Sequence, residues 1–215
     1  MAIYTKDIEI LKKDLLALPM FWDGKASILE LKEANYNWRQ MEWWAFYFEY
    51  KVKQILQDKF EFPGDAYNNT CFDMKGAINW DMKAKAIKSD DTRVILNDVC
   101  AMQESIENSG FHGEIIALCD VKYNDENRTF QKWHSELKGG KSKYELEREN
   151  RTATSRYRKT EATLAEIVLI ILKKEDLPLL SIMKQGRNSN GMPRPEKFML
   201  DLEMTDNFEN YIVRF

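Results

Sequence analysis

The sequence is poor in the residues that build cross-linked or zinc-stapled frameworks. Its three cysteines, Cys71, Cys100 and Cys119, are an odd number with no C-x-x-C pair, and its two histidines, His112 and His134, share no metal-ligand spacing with them. Neither a disulfide scaffold nor a zinc site is therefore expected. No apolar stretch approaches the roughly 18 to 20 residues that span a bilayer. The start of the chain also lacks the basic flank, apolar run and small-residue cleavage site of a secretory signal. A soluble, cytoplasmic protein with no membrane partner is the expectation. Neither a repeat at a period of about 20 to 50 residues nor a low-complexity tract is present, which argues against solenoids and propellers. A formal net charge of -3 excludes an all-round basic nucleic-acid binder, so any polyanion must be met by a local patch.

What is present is enough apolar residue, 44% of 215, to bury a full core, and the length favours a single domain over residues 1–215. Ile8, Leu11, Leu15 and Leu18 recur at helical spacing before Pro19 and predict an amphipathic helix over 6–18. The run from Asn37 to about Gln57 has no Gly or Pro and is apolar around most of its circumference, which predicts a mostly buried helix. A loop around Pro63, Gly64, Asn68 and Asn69 precedes alternation at period two from Cys71. Asp91 to Asn108, with Gly110 just beyond, predicts a capped helix. Gly113–Val121 reads as a buried central strand. A short helix is expected at Thr129–Leu137, a charged one at Lys143 to about Asn150, a strand at Ala165–Leu172, a helical turn near Leu177–Lys184, and strands at Lys197–Met204 and Tyr211–Phe215. Alternating helices and strands predict an α/β fold with a mixed central sheet flanked by helices.

The chemistry concentrates in C-F-D-M-K-G-A-I-N-W-D-M-K-A-K, residues 71 to 85. Alternation places Phe72, Met74, Trp80, Met82 and Ala84 on one face and Asp73, Lys75, Asp81, Lys83 and Lys85 on the other. With a turn centred near Ala77, Asp73 and Asp81 face each other across the ladder. Like charges there are destabilising, so a divalent cation such as Mg2+ is the expected compensation, with Asp73 and Asp81 as its ligands. Such an ion can polarise a phosphodiester and lower the pKa of an attacking water. Lys83 points the same way and can stabilise phosphate charge or help position and deprotonate water. A second register stays open, in which Asp65 supplies the first acid and Asp73 and Lys75 the second pair.

This Asp, spacer, Asp-x-Lys arrangement resembles the signature of the PD-(D/E)xK nuclease superfamily, which includes most Type II restriction endonucleases. Phe72 stands where those enzymes usually carry Pro. The resemblance implies a restriction-endonuclease-like core and a further acid from the helix behind the site. Glu49 is preferred and Glu42 second, the alternative being that either reaches the surface or pairs with Arg39 or Lys53.

Between Arg128 and Lys159, ten Lys and Arg face four Glu, an excess of about six positive charges. This basic segment, about 123–160, interleaves Lys138, Lys141, Lys143, Arg156, Arg158 and Lys159 with Ser, Thr and Tyr donors, the mixture that grips phosphates. The loop of about 185–197, Q-G-R-N-S-N-G-M-P-R-P-E-K, is the candidate base reader through Gln185, Arg187, Asn188, Asn190 and Arg194, with Lys197 at its end. F-Q-K-W-H-S-E-L-K-G-G-K-S-K-Y-E-L-E-R and that loop also look similar to segments of Type II restriction endonucleases. The resemblance covers roughly residues 70 to 200 and implies a homodimer that cuts a short palindrome in double-stranded DNA. His134 either faces the phosphate or caps its helix, the second being preferred. Two other functions fit the same residues: a non-catalytic nucleic-acid-binding protein, and a structure-specific repair or recombination nuclease.

Overall fold

The two most apolar runs of the chain pair with each other at the centre of the molecule. In the computed structural model, which describes residues 2–63, 72–87, 90–123, 125–141, 146, 157–187 and 191–215, β5 (His112–Lys122) lies antiparallel to β6 (Glu161–Leu172). On its other side β5 runs parallel to β3 (Asn79–Ala86), which turns back on the two-residue β2 (Met74–Lys75). The far edge of β6 is shared by β1 (Phe21–Asp23) and β9 (Glu209–Arg214), completing a mixed six-stranded sheet. A second, antiparallel sheet joins β4 (Arg93–Asp98), β8 (Lys197–Asp201) and β7 (Ser181–Met183) in the order β4-β8-β7.

Continuous burial along β5 has a simple cause: both faces of the large sheet are covered. On one face Ile115, Ala117, Cys119, Ile167, Leu169 and Ile171 join a core built with helices α1 (Thr5–Asp14), α2 (Gly24–Glu33) and α3 (Trp43–Leu56). On the other, Ile116, Leu118, Val168, Ile170 and Leu172 pack with α4 (Val99–Ser109) and with Val94, Leu96, Phe198 and Leu200 of the small sheet. The α/β architecture with a mixed central sheet flanked by helices is therefore present. Among the described residues no helix is long and apolar enough to cross a membrane.

The remaining helix, α5, spans Thr129–Leu137 as expected. The expected helix over 6–18 is α1 followed by a 3-10 turn at Leu15–Ala17. Elsewhere the sequence expectations need correction. The helix expected from Asn37 begins at Trp43, because Asn35 and Asn37 take positive φ (53° and 33°) and break the chain between α2 and α3. Helix α2 was not anticipated at all, although Gly24, Ser27, Ile28 and Leu31 are buried at helical spacing and the Asp23 side chain caps it by accepting from Ala26 N at 2.8 Å. The helix expected from Asp91 to Asn108 is two elements. Val94 and Leu96 point inward while Arg93 and Ile95 are exposed, a strand's alternation, and the helix starts only after Asp98. Gly110 does end it, with φ 81°. The turn expected near Leu177–Lys184 is a 3-10 segment at Lys174–Leu179 that leads into β7, and Lys197–Met204 is strand only as far as Asp201. The loop at 64–71 and most of the charged helix expected at 143–150 lie outside the described residues.

Two buried contacts position the hairpin β2-β3. The Asp7 carboxylate of α1 accepts from Ala77 N at 2.9 Å and from Trp80 Nε1 at 3.0 Å, fixing the turn to the first helix. Trp80, wholly buried, lies over Gly113 of β5, where a Cβ would stand 2.2 Å from the indole. Only glycine allows that approach, and it sets the spacing of the strands that carry the site.

Candidate active site

The turn is centred on Ala77, with Met74 opposite Trp80 and Lys75 opposite Asn79. Because β2 is so short, the edge of β3 loses its strand partner beyond Met74. Asp73 fills the gap: its backbone N donates to Trp80 O at 3.0 Å, and its Oδ2 accepts from Met82 N at 2.8 Å. An otherwise orphaned backbone donor thus holds the carboxylate beside Asp81 and Lys83. Lys83 Nζ lies 3.4 Å from Asp81 Oδ1 and 3.9 Å from Asp73 Oδ2.

Glu49 reaches the cluster from α3, with Asp73, Lys83 and Asp81 acting electrostatically on its carboxylate and Tyr36 as a hydrogen-bond partner. Burial, aided by Asp73, pushes Glu49 up to about 8. Asp73 rises to about 7, driven by burial and Asp81 against the pull of Lys83. Burial opposes the charge on Asp81 as well, yet Lys83 and His112 hold it well below the ordinary carboxylate range. The same acids outweigh burial at Lys83 and keep it firmly an ammonium.

The parallel register of β3 on β5 adds two residues beyond those expected from sequence. Asn79 is opposite His112 and Asp81 opposite Glu114, so Asp81, His112 and Glu114 share a face. His112 Nε2 lies 3.2 Å from Asp81 Oδ2 and 3.5 Å from Glu114 Oε1, and both His112 and Glu114 are fully buried. The legible signal is the spacing H-G-E, which places both side chains on one side of a strand that continues as the apolar run Ile115–Cys119. The spacing of the histidines to the cysteines carries no trace of it, since neither cysteine nor zinc-type spacing takes part.

An open cleft is lined by Glu49, Asp73, Lys83, Lys85, Arg93 and Ile95 among others. It meets a second cleft at Ala45, which borders both. The second is walled by Arg39 and Glu42 on one side and Lys138 to Lys141 on the other. No known protein family, curated protein or solved structure matches this chain. The functional reading rests on the geometry and on the Asp-x-Lys pattern.

The structure brings Asp73, Asp81, Lys83 and Glu49 together and leaves Glu42 apart. Glu42 is exposed at the start of α3, where its Oε2 accepts from Lys159 Nζ at 2.6 Å and from Trp44 Nε1 at 3.0 Å. Of the second register, Asp65 lies outside the described residues, and Lys75 is exposed with its backbone paired to Glu61. Lys138 and Lys141 border the second cleft, and the Lys138 carbonyl accepts from Arg39 Nη2 at 2.8 Å. Arg158 acts on Glu42 from nearby, and Lys159 stands 4.7 Å over the Trp44 ring. Residues 185–187 and 191–197, the described part of the loop, adjoin β7 and β8. Arg194 N donates to Gly186 O at 3.0 Å, and the exposed Arg187 donates to Gly191 O at 2.8 Å. Gln185 lies at its base, and Lys197 Nζ pairs with Asp98 at 2.8 Å. Lys143, Arg156, Asn188 and Asn190 lie outside the described residues. His134 Nε2 lies 2.9 Å from Trp38 O and ties α5 to the segment before α3.

Proposed function

We propose that this protein is a divalent-cation-dependent endonuclease that hydrolyses phosphodiesters of double-stranded DNA at a fixed sequence, in the manner of a Type II restriction enzyme. The observation that carries the reading is the convergence of Asp73, Glu49 and the Asp81-x-Lys83 pair, with Glu49, Asp73 and Lys83 lining a cleft and Asp81 buried beside them. Three carboxylates gathered around one ammonium carry excess negative charge, which adds to burial in raising the carboxyls of Asp73 and Glu49. A hard, oxygen-seeking Mg2+ fits that donor set. Asp73 and Asp81, with Glu49, would hold it, and when bound it would polarise the scissile phosphate and acidify the attacking water.

The chain's own groups supply the rest. Lys83 remains protonated, so its role is to stabilise charge on the phosphate oxygens in the transition state, not to accept a proton. The raised carboxyls of Glu49 and Asp73 belong to the metal-free site, and a bound cation would draw both toward the carboxylate form that ligates it. Arg39, Lys138 and Lys141 in the adjoining cleft suit the DNA backbone. The β7-β8 hairpin is the candidate base reader, and a homodimer would match a palindromic target.

Plasmid DNA incubated with the protein and Mg2+ tests the proposal. Discrete, reproducible fragments with a common end sequence are expected. Ragged ends without a common sequence would replace the restriction reading by a structure-specific nuclease, and absence of cleavage in both Mg2+ and Mn2+ would leave only a binding protein.

A further inference from the structure

Behind the cleft, the buried group on β3 and β5 has a feature the nuclease reading does not use. His112 Nε2 and both carboxylate oxygens of Glu114 are buried and have no hydrogen-bond partner. A fully buried carboxylate with neither oxygen bonded is expensive unless something else satisfies it. The three side chains Asp81, His112 and Glu114 each aim one ligand atom inward, all within 4.8 Å of one another.

We propose that Asp81, His112 and Glu114 form a second cation site, selective for a borderline divalent ion such as Zn2+ over Mg2+. The spacing suits an ion. With bonds of about 2.1 Å, ligand atoms stand about 3.0 Å apart at octahedral angles and about 3.4 Å at tetrahedral ones. The separations from His112 Nε2 are 3.2 and 3.5 Å. The donor set gives the preference, since imidazole nitrogen favours Zn2+ where Mg2+ wants oxygen and water.

Outer partners are in place on both sides. His112 Nδ1 lies 3.0 Å from Ser105 Oγ, which also accepts from Asn79 Nδ2 at 3.1 Å. A hydroxyl oxygen has two lone pairs, so it can accept from both. With Nδ1 protonated in that contact, Nε2 keeps its lone pair for the ion. On the opposite side Asn97 Nδ2 donates to Asp81 Oδ2 at 2.5 Å and fixes the carboxylate. The competing arrangement is a doubly protonated His112 that pairs with both acids and needs no metal.

The chain has two histidines, so long-range proton-nitrogen NMR of the whole protein shows two imidazoles and decides between these arrangements without a mutation. On titration with Zn2+ in the presence of millimolar Mg2+, the His112 Nε2 resonance is expected to shift at one equivalent while Nδ1 keeps its proton. His134, held to Trp38 O, stays unchanged and serves as the internal control. Ser105→Ala should weaken Zn2+ binding by about 10- to 100-fold, the usual effect of losing an outer partner. Asp73→Asn should leave that binding in place. A His112 ring that keeps both protons with Zn2+ present, or a Ser105→Ala protein with undiminished affinity, overturns the proposal. Plasmid cleavage in Mg2+ without a His112 response refutes this site alone, whereas a His112 response without cleavage refutes the nuclease reading alone.

Discussion

Replacing Asp73 by Asn is expected to stabilise the metal-free protein while abolishing its proposed activity. The carboxyl moves from an ordinary 3.8 to about 7 in the folded chain, so above pH 7 the native state holds a carboxylate that its surroundings disfavour. At ~1.4 kcal/mol for each pH unit between those values, the ceiling is about 4 kcal/mol. The side chain is 31% exposed, and solvent screening reduces the expectation to about 1 to 2 kcal/mol. Asparagine keeps an oxygen for the Met82 N–H and is nearly isosteric, so little is lost in exchange. The sign follows from linkage: an acid with a raised folded pKa contributes stability that is fully present below the unfolded pKa and is lost as pH rises through the folded one. The gap between variant and wild type should therefore widen from pH 5 to pH 8. Urea unfolding in EDTA at both pH values measures it, and at pH 8 the melting temperature should rise by roughly 2 to 8 °C. A variant that is less stable than wild type at pH 8, or a gap independent of pH, would refute the electrostatic account of the site.

Three further outcomes follow from the same geometry. Lys83→Met removes the cation between Asp73 and Asp81, and leaving those buried charges uncompensated should cost about 3 kcal/mol in metal-free unfolding, with loss of cleavage in Mg2+. Gly113→Ala drives a Cβ to 2.2 Å from Trp80; overpacking of about 1 to 3 kcal/mol is expected in the same unfolding assay, and cleavage should fall because β3 and β5 carry the site. Lys138→Ala with Lys141→Ala should weaken DNA binding at low salt uniformly across sequences. The slope of log affinity against log salt should become shallower by about 2, one for each phosphate that is no longer neutralised, as titrations at several salt concentrations will report.

How much of this was legible depended on whether local pattern and tertiary pairing agree. The hairpin was readable because its alternation, its Gly76-Ala77 turn and its charged face all point to one register. The β5 and β6 runs were readable because their apolar length leaves no other place for them. The segment 91–98 misled because Val94 and Ile95 fit a helical stripe joined to 99–106, and only pairing with β8 makes it a strand. Asp23 and the stripe Gly24, Ser27, Ile28, Leu31 were visible signals for α2 that went unused. At the site, Asp73, Asp81 and Lys83 are close in sequence, and one strand pattern places them together. His112 and Glu114 arrive through a parallel pairing across a crossover, which no local pattern encodes. Glu49 and Glu42 stand seven apart on the sequence, with Glu49 the preferred acid; α3 starts late enough that Glu42 falls at its exposed end, where Lys159 takes it.

The most direct test of the central claim is single-turnover cleavage of plasmid DNA in Mg2+ by wild type and Asp81→Asn protein, with DNA affinity measured in parallel. The account predicts fragments from the wild type, a rate at least about 1,000-fold lower for the variant, the scale on which loss of one group that acts in the transition state is felt, and closely similar binding. Equal rates, or a wild type that binds DNA and never cuts it, would contradict the assignment of Asp73, Asp81, Lys83 and Glu49 as a hydrolytic centre.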